Sequence, residues 1–232
     1  MTTEVMVLLV VGVVAAALSF AWRHFRPSTR QRRALASAED TNISQVSEGA
    51  TVRVSGRVSA REAEPKIAPL SQRPCLAWRL RADVRKHTPE SDSFYWQEVL
   101  DLCDHVSDLH LEDATAQAKI EPAMPVLSIV LDRTLKVDAN AEDLPERSRS
   151  LVELILSHGD SGDLHMYGDV RFREGIVTEG TVVSVLGVGR RRVAPGKGYR
   201  DVASVVVIEA PSLDQGRMVI GTAAGAAMDE EP

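Results

Sequence analysis

The chain has 232 residues and a formal net charge of −6. Residues 1–33 hold five arginines and one glutamate, so everything after them carries −10. A portion that acidic lacks the basic face that non-specific nucleic-acid binding needs, and its roughly 200 residues suffice for one good core or two small ones.

The first element is Val5–Trp22, VMVLLVVGVVAAALSFAW, eighteen residues without a charge. At about 1.5 Å per residue it spans roughly 27 Å, close to the hydrocarbon thickness of a bilayer. It has no polar face, which a soluble core helix would show. A cleaved signal peptide, with Ala15-Ala16-Ala17 as its small-residue site, is the rival reading. It needs a basic n-region, and MTTE carries Glu4 instead. The basic residues Arg23, Arg26, Arg30, Arg32 and Arg33 lie on the other flank, which the positive-inside rule keeps in the cytoplasm. The expectation is a single-pass membrane anchor with the C-terminal portion cytoplasmic, contacting lipid through the anchor and its basic flank.

Residues 23–47 read as a basic juxtamembrane helix and linker. From Thr51 to Val58 apolar and polar residues alternate, the period of a half-buried strand. Residues 61–74 are irregular and contain Pro65, Pro69 and Pro74. Strands are expected at Cys75–Val84 and Phe94–Leu100, paired as a hairpin, then at Asp108–Glu112, Ala116–Ile120 and Val126–Leu131. Trp78 and Trp96, with Phe94 and Tyr95, are expected to build a core. Leu144-Pro145-Glu146 sets proline and an acid at a helix start. An amphipathic helix over about 145–158 follows, with Leu151, Leu154 and Ile155 on one face and Gly159 as its stop. Strands resume at Leu164–Arg173, Thr181–Val188, Ala203–Glu209 and Met218–Thr222. Residues 223–232 form a small, acidic tail. Met218–Met228 is too short for a second span.

Glu48-Gly49-x-x-Val52-x-Val54-x-Gly56 is echoed by Glu179-Gly180-x-x-Val183-x-Val185-x-Gly187, 131 residues later. Each is a turn glycine, an alternating strand and a glycine suited to a bend or bulge. The fold class is therefore mainly β. One arrangement has two barrel-like lobes, 48–137 and 164–222, joined by a linker and helix at 138–163. The other is one continuous β-domain.

No stretch spells a catalytic signature. Cys103, His105, His110 and Glu112, with Asp101, Asp104 and Asp113 nearby, are the densest potential ligands, and a strand at 109–113 puts His110 and Glu112 on one face. Their spacing matches no standard zinc pattern. Cys103 and His105 as nucleophile and base lack an orienting group and an oxyanion site. Cys75 and Cys103 are expected to be reduced thiols in a cytoplasmic domain. The stretch Gly187–Arg200 is glycine-rich and basic through Arg190, Arg191, Arg192, Lys197 and Arg200. It lacks the phosphate-loop spacing and reads as a hairpin loop, or as a contact for lipid head groups or an acidic partner. His158 and His165 read as surface residues. No cofactor is expected.

Several blocks together resemble one family. Ile43-x-x-Val46-x-Glu48-Gly49-x-x-Val52-x-Val54-x-Gly56 and Ala68-Pro69-Leu70-Ser71-x-x-Pro74-Cys75-x-Ala77-Trp78-Arg79 come first. Leu109-x-Leu111-x-Asp113-Ala114-Thr115-x-x-Ala118 and Arg173-Glu174-x-Ile176-Val177-x-x-Gly180-x-x-Val183-x-Val185-x-Gly187 follow in order. They resemble the GIDE ("beside a membrane") domain of a mitochondrial RING-type ubiquitin ligase and its prokaryotic relatives. The resemblance covers roughly 40–222. It implies a membrane-apposed β-domain, in a prokaryotic plasma membrane, that binds a protein partner or scaffolds without catalysis. A RING needs about eight Cys/His ligands, and no cysteine follows Cys103, so ligase chemistry does not carry over. The alternatives are a ligase-like component without its RING, a Cys/His hydrolase, or a metal-binding module.

Overall fold

A computed structural model describes residues 33–88, 93–123, 125–141, 143–158, 168–193, 204–211 and 217–222. The expected anchor Val5–Trp22, Arg23, Arg26, Arg30, Arg32, His165, Lys197, Arg200 and the 223–232 tail lie outside these residues. Among the described residues no helix is long and apolar enough to cross a membrane.

The protein is mainly β. Its strands are β1 (Thr51–Ala60), β2 (Lys66–Ile67), β3 (Pro74–Cys75), β4 (Ala77–His87), β5 (Phe94–His105), β6 (Leu109–Glu112) and β7 (Gln117–Glu121). They continue with β8 (Val126–Ser128), β9 (Arg133–Asp138), β10 (Asp169–Val177), β11 (Val182–Val193), β12 (Ser204–Glu209) and β13 (Val219–Thr222). One α-helix, α1 (Glu146–His158), stands between β9 and β10, where the proline and acid at its start predict it.

β1, β6, β7, β12 and β11 form a closed barrel. β1 pairs antiparallel with β6 and, back along its length, with β11. β6 and β7 are antiparallel, β7 and β12 parallel, and β12 and β11 antiparallel. Numbered within the barrel, the order is 1-2-3-5-4-1, a Greek-key barrel of the OB type. β11 is long enough to take β13 and then β12 on its other edge, and β8 extends that edge in parallel with β13. Alternation drives this assembly. Val52, Val54 and Val58, Leu109 and Leu111, Ala118 and Ile120, Val183 and Val185, and Val206 and Ile208 meet inside, while their sequence neighbours face out.

The connections β1–β6 and β7–β11 carry a second sheet of order β5-β4-β10-β9, antiparallel throughout. α1 packs on one face. Leu151 and Ile155 sit against Leu80, Ala82, Val84, Val170 and Phe172, a core of its own. The opposite face is a charge ladder. Arg79 forks onto Asp101 at 2.8 and 2.7 Å, and Arg171 and Arg173 both reach Asp83.

Three expectations are corrected here. The stretches 48–137 and 164–222 are not two successive lobes. Each supplies strands to both sheets, because β1 pairs with β11 and β4 with β10. Of the four aromatic residues, Trp78 packs against the core of the second sheet, and the barrel core is aliphatic. Phe94 and Tyr95 are exposed and Trp96 lies under the Arg171 guanidinium at 4.6 Å. β9, unassigned in the sequence, is an edge strand whose Leu135 and Val137 face α1's sheet core.

Residues 33–47 lie on the barrel. They are helical at 33–37 and form a 3-10 turn at Ile43–Gln45. Leu35, Ile43 and Val46 are buried.

Candidate functional site

An open cleft of ≈ 570 Å³ runs along the barrel's outer surface. β7 supplies Lys119 and Glu121, β11 supplies Arg192 and β12 ends in it with Glu209, while His105 and Ser107 close it from the β5–β6 connection. Outward positions of three paired strands are thus brought together by topology alone.

Its charges are ordered by register. Glu121 and Glu209 are Cα partners in the parallel β7–β12 pair, and two like charges so placed repel. Arg192, one strand further, answers both. It donates to Glu121 at 3.1 Å and forms a close pair with Glu209. Glu209 raises the Arg192 guanidinium pKa further above its ordinary value, with Glu121 adding to the effect. The alternation continues in both directions. Lys119 Nζ lies 3.5 Å from Glu121. Arg190 joins Glu209 at 3.6 Å to Glu48 at 3.2 Å. Glu48 also accepts the Arg191 backbone N–H at 2.7 Å. That bond, followed by Arg190, holds its carboxyl below the ordinary range. Six side chains from Lys119 to Glu48 therefore form one chain of alternating sign.

The basic triplet expected to meet lipid or an acidic partner is consequently balanced by Glu48, Glu121 and Glu209. Arg191 turns away from its neighbours. It donates to the Ser44 carbonyl at 2.9 Å and the Val46 carbonyl at 3.3 Å. The stretch Gly187–Arg200 is not a loop throughout: Gly187–Val193 belong to β11, which pairs antiparallel with β12, and 194–200 lie outside the described residues. Arg33, the last of the basic flank, is exposed on the 33–37 helix.

The four potential ligands do not converge. Cys103 is exposed on β5 opposite Arg79. His105 ends that strand, its Nδ1 2.9 Å from the Val106 carbonyl. His110 and Glu112 lie on β6, His110 bonded to Asp108 at 3.0 Å. Among the described residues no group of three or more His, Cys, Asp or Glu could hold a metal. Crowding by neighbouring protein, then the Asp101 carboxylate, raises the Cys103 thiol, opposite to what a nucleophilic cysteine requires. Among the described residues His158 contacts Ser157 on the exposed end of α1.

The polar residues of the blocks quoted above serve as joints. Glu174 is fully buried and accepts the backbone N–H groups of Leu70 at 2.5 Å and Ser71 at 3.0 Å. Asp113 closes its own turn by accepting from Thr115 and Ala116, and takes the Ile43 N–H at 2.7 Å. Burial opposes ionisation of Asp113, but these bonds outweigh it and lower its pKa.

Sequence reasoning missed Lys119, Glu121, Glu209 and Glu48 as a group. Each is one outward residue on a separate strand, and only the strand order makes them neighbours. No protein-family model, curated protein or solved structure matches the chain.

Proposed function

We propose that this chain is a membrane-anchored, GIDE-like, non-catalytic module that binds a protein partner through the charged cleft on its barrel. The observation that supports the reading is the cleft's lining, with Lys119, Glu121, Arg192 and Glu209 in one row of alternating charge on an open surface. OB-type barrels take their ligands on strands two and three, flanked by the connections after strands one and four. Here the cleft shares only part of that place, strand three with Lys119 and Glu121 and the first connection with His105 and Ser107; strand two supplies none of its lining, and Arg192 of strand four and Glu209 of strand five complete it. A fold alone does not assign a ligand; the lining does the chemical work. It offers both signs of charge on an open surface, suited to a polar protein surface. The acidic balance of the domain argues against nucleic acid there.

The membrane part of the reading rests on the uncharged run Val5–Trp22 and the arginines after it. The non-catalytic part rests on how the polar residues are used. Glu174, Asp113 and Arg191 are committed to backbone groups, and the Cys103 thiol is raised, not activated.

The test is site-specific photocrosslinking of the full-length protein in its native membrane. A crosslinker at Ser107 should capture a discrete partner, and the Lys119→Glu, Arg192→Glu double variant should lose it. Equal capture from Lys136, on the far sheet, would remove the cleft as the binding site. Hydrolase turnover by the purified protein would remove the non-catalytic reading.

A further inference from the structure

The edges of the two large sheets are guarded unequally. β8 ends one sheet with only three residues. β9, one edge of the four-stranded sheet, carries the exposed Arg133 and Lys136, and charged residues are among the devices that keep an edge from pairing with another chain. The other edge of that sheet is β5, twelve residues long. Its first stretch, Phe94-Tyr95-Trp96-Gln97-Glu98, contains no lysine, arginine or proline. Among the described residues no strand pairs with its second side, and Phe94 and Tyr95 are 54 % and 49 % exposed.

The ladder decides which backbone groups face outward. β5 pairs antiparallel with β4 in a register that sets Lys86 against Tyr95 and Arg85 against Trp96. One step beyond the strands the Thr88 N–H donates to the Ser93 carbonyl at 3.0 Å, which makes Thr88 and Ser93 a hydrogen-bonded pair. Such pairs alternate with non-bonded ones along an antiparallel ladder. Tyr95 and Gln97 therefore turn their N–H and C=O groups to β4, and Phe94, Trp96 and Glu98 turn theirs to the open side. A register shift opposite Ala82 and Asp83 ends this regular stretch after Glu98. The three outward residues also share the sheet face away from α1. The Arg85 guanidinium lies over the Phe94 ring at 4.0 Å, that of Arg171 over Trp96 at 4.6 Å, and Glu98 pairs with Arg81.

We propose that this edge is a dimer interface, in which Phe94–Glu98 pairs antiparallel with the same segment of a second copy and joins two four-stranded sheets into one. Strand addition to an open edge is a general mode of recognition, and a two-fold interface needs a surface complementary to itself. With Trp96 of one copy opposite Trp96 of the other, Phe94 meets Glu98 across the axis, and all three outward residues of each copy find partners. Within 94–98 no other two-fold register pairs all three. The side chains agree with that register. The two Trp96 rings form an aromatic cross-strand pair. Glu98 meets Phe94 of the second copy and with it the Arg85 guanidinium that covers that ring, and no like charges oppose each other. This surface goes beyond the cleft, since Trp96 stands nine residues, about 30 Å, along β5 from the His105 that lines it.

The experiment uses full-length protein in detergent micelles. Light scattering at tens of micromolar should give a protein mass twice that of one chain. Trp96→Lys sets two like charges on the axis, and Trp96→Pro removes a donor that points away from β4. Each should halve the mass while the amides of β4 and β7 stay protected from exchange, and Trp96→Lys covers the case in which Trp96→Pro fails to fold. For the register, Phe94→Cys and Glu98→Cys are made separately in a Cys103→Ser background. Under oxidation a mixture of the two should yield disulfide-linked dimer. Either alone should not, its thiols being four residues, about 14 Å, apart across the axis. A single-chain mass for the unsubstituted protein would overturn the dimer. So would a doubled mass that survives both Trp96 substitutions, or linkage in either cysteine variant alone equal to that in the mixture.

Discussion

Val54 and Val185 face each other across β1 and β11, and a local two-fold axis passes through the pair. Val52 faces Gly187 and Gly56 faces Val183, so each residue meets the counterpart of its own mirror position in the echoed sequence. The hydrogen bonds at the strand ends obey the same operation. Gly49 donates to the Gly189 carbonyl at 2.8 Å, as Gly180 does to that of Val58 at 2.8 Å. Gly49 and Gly180 share a left-handed φ, 76° and 78°. The nine-residue echo is one turn-and-strand solution used twice to make a symmetric pair, and that pair closes the barrel.

Two-fold related positions should respond alike to substitution. A Cβ on Gly187 would lie 2.6 Å from Ile208 Cγ2, and one on Gly56 would run into the Glu112 backbone. Gly187→Val and Gly56→Val should each destabilise by about 1–3 kcal/mol through overpacking. Gly180→Ala meets nothing within 4 Å and should cost only about 1–2 kcal/mol for its left-handed backbone. Urea unfolding of the three variants checks the order, and a milder effect at Gly187 than at Gly180 would contradict it.

Much of this was legible in the sequence, and what was not has physical causes. The sequence placed β1, β4–β8 and β10–β13 in the right order, because one face of each meets a core, but it ended β5 and β11 five residues early. It did not reveal pairing. The central pair of β1 and β11, Val54 and Val185, is 131 residues apart, and only the closed barrel makes them neighbours. The end of β11 was hidden because Arg190, Arg191 and Arg192 erase the period; all three lie on a strand whose partners are carboxylates and carbonyls. Of the site, the basic triplet was visible and its balancing Glu48, Glu121 and Glu209 were not, each being an unremarkable acid on its own strand. The buried Glu174 reads locally as a polar residue of an alternating strand, and its partners Leu70 and Ser71 lie 103 or more residues away.

Glu174 yields the second prediction. Its carboxylate satisfies two backbone donors in a fully buried place. Glu174→Ala should orphan both and cost roughly 2–4 kcal/mol. Glu174→Gln keeps one acceptor and sets an amide against the other donor, so it should fall between. Thermal unfolding of the two variants separates this from simple loss of volume, which Gln preserves.

The seat of residues 43–46 on the barrel should loosen in acid. The Asp113 carboxyl is held below the ordinary aspartate range by its bonds to backbone N–H groups and Thr115, so its contribution is complete above the unfolded aspartate pKa and is lost as pH falls through the lower folded value. Protonation weakens the bond to the Ile43 N–H. Exchange at Ile43 and Ser44 should therefore accelerate below about pH 4, after allowance for intrinsic rates. In Asp113→Asn the acceleration with falling pH should disappear.

The two thiols should differ in reactivity. Burial, then the Glu174 carboxylate, pushes the Cys75 thiol up to about 11. Cys103 is exposed but also raised. A disulfide reagent should modify one thiol per folded chain, more slowly than a free cysteine at neutral pH and faster as pH climbs above 9, and Cys103→Ser should abolish that phase. Reaction at neutral pH faster than a free cysteine would restore Cys103 as a nucleophile candidate.

The alternating charges make the last prediction. Glu121 and Glu209 oppose each other across a short parallel pair, and Arg192 is the group that spans them. Removing it in Arg192→Ala leaves like charges in register, so the variant should be less stable at low ionic strength. These side chains are solvent-facing and within a Debye length of one another, which is roughly 10 Å at 0.1 M salt. Added salt should therefore recover most of the loss, because it screens the repulsion. Arg192→Ala combined with Glu209→Gln should be more stable than Arg192→Ala alone, since the repelling partner is gone. Urea unfolding of the variants at low and at 0.5 M sodium chloride, run as a double-substitution cycle, decides it. A defect in Arg192→Ala that is unchanged by salt and by Glu209→Gln would mean that Arg192 acts through packing of its stem and not by holding two carboxylates apart.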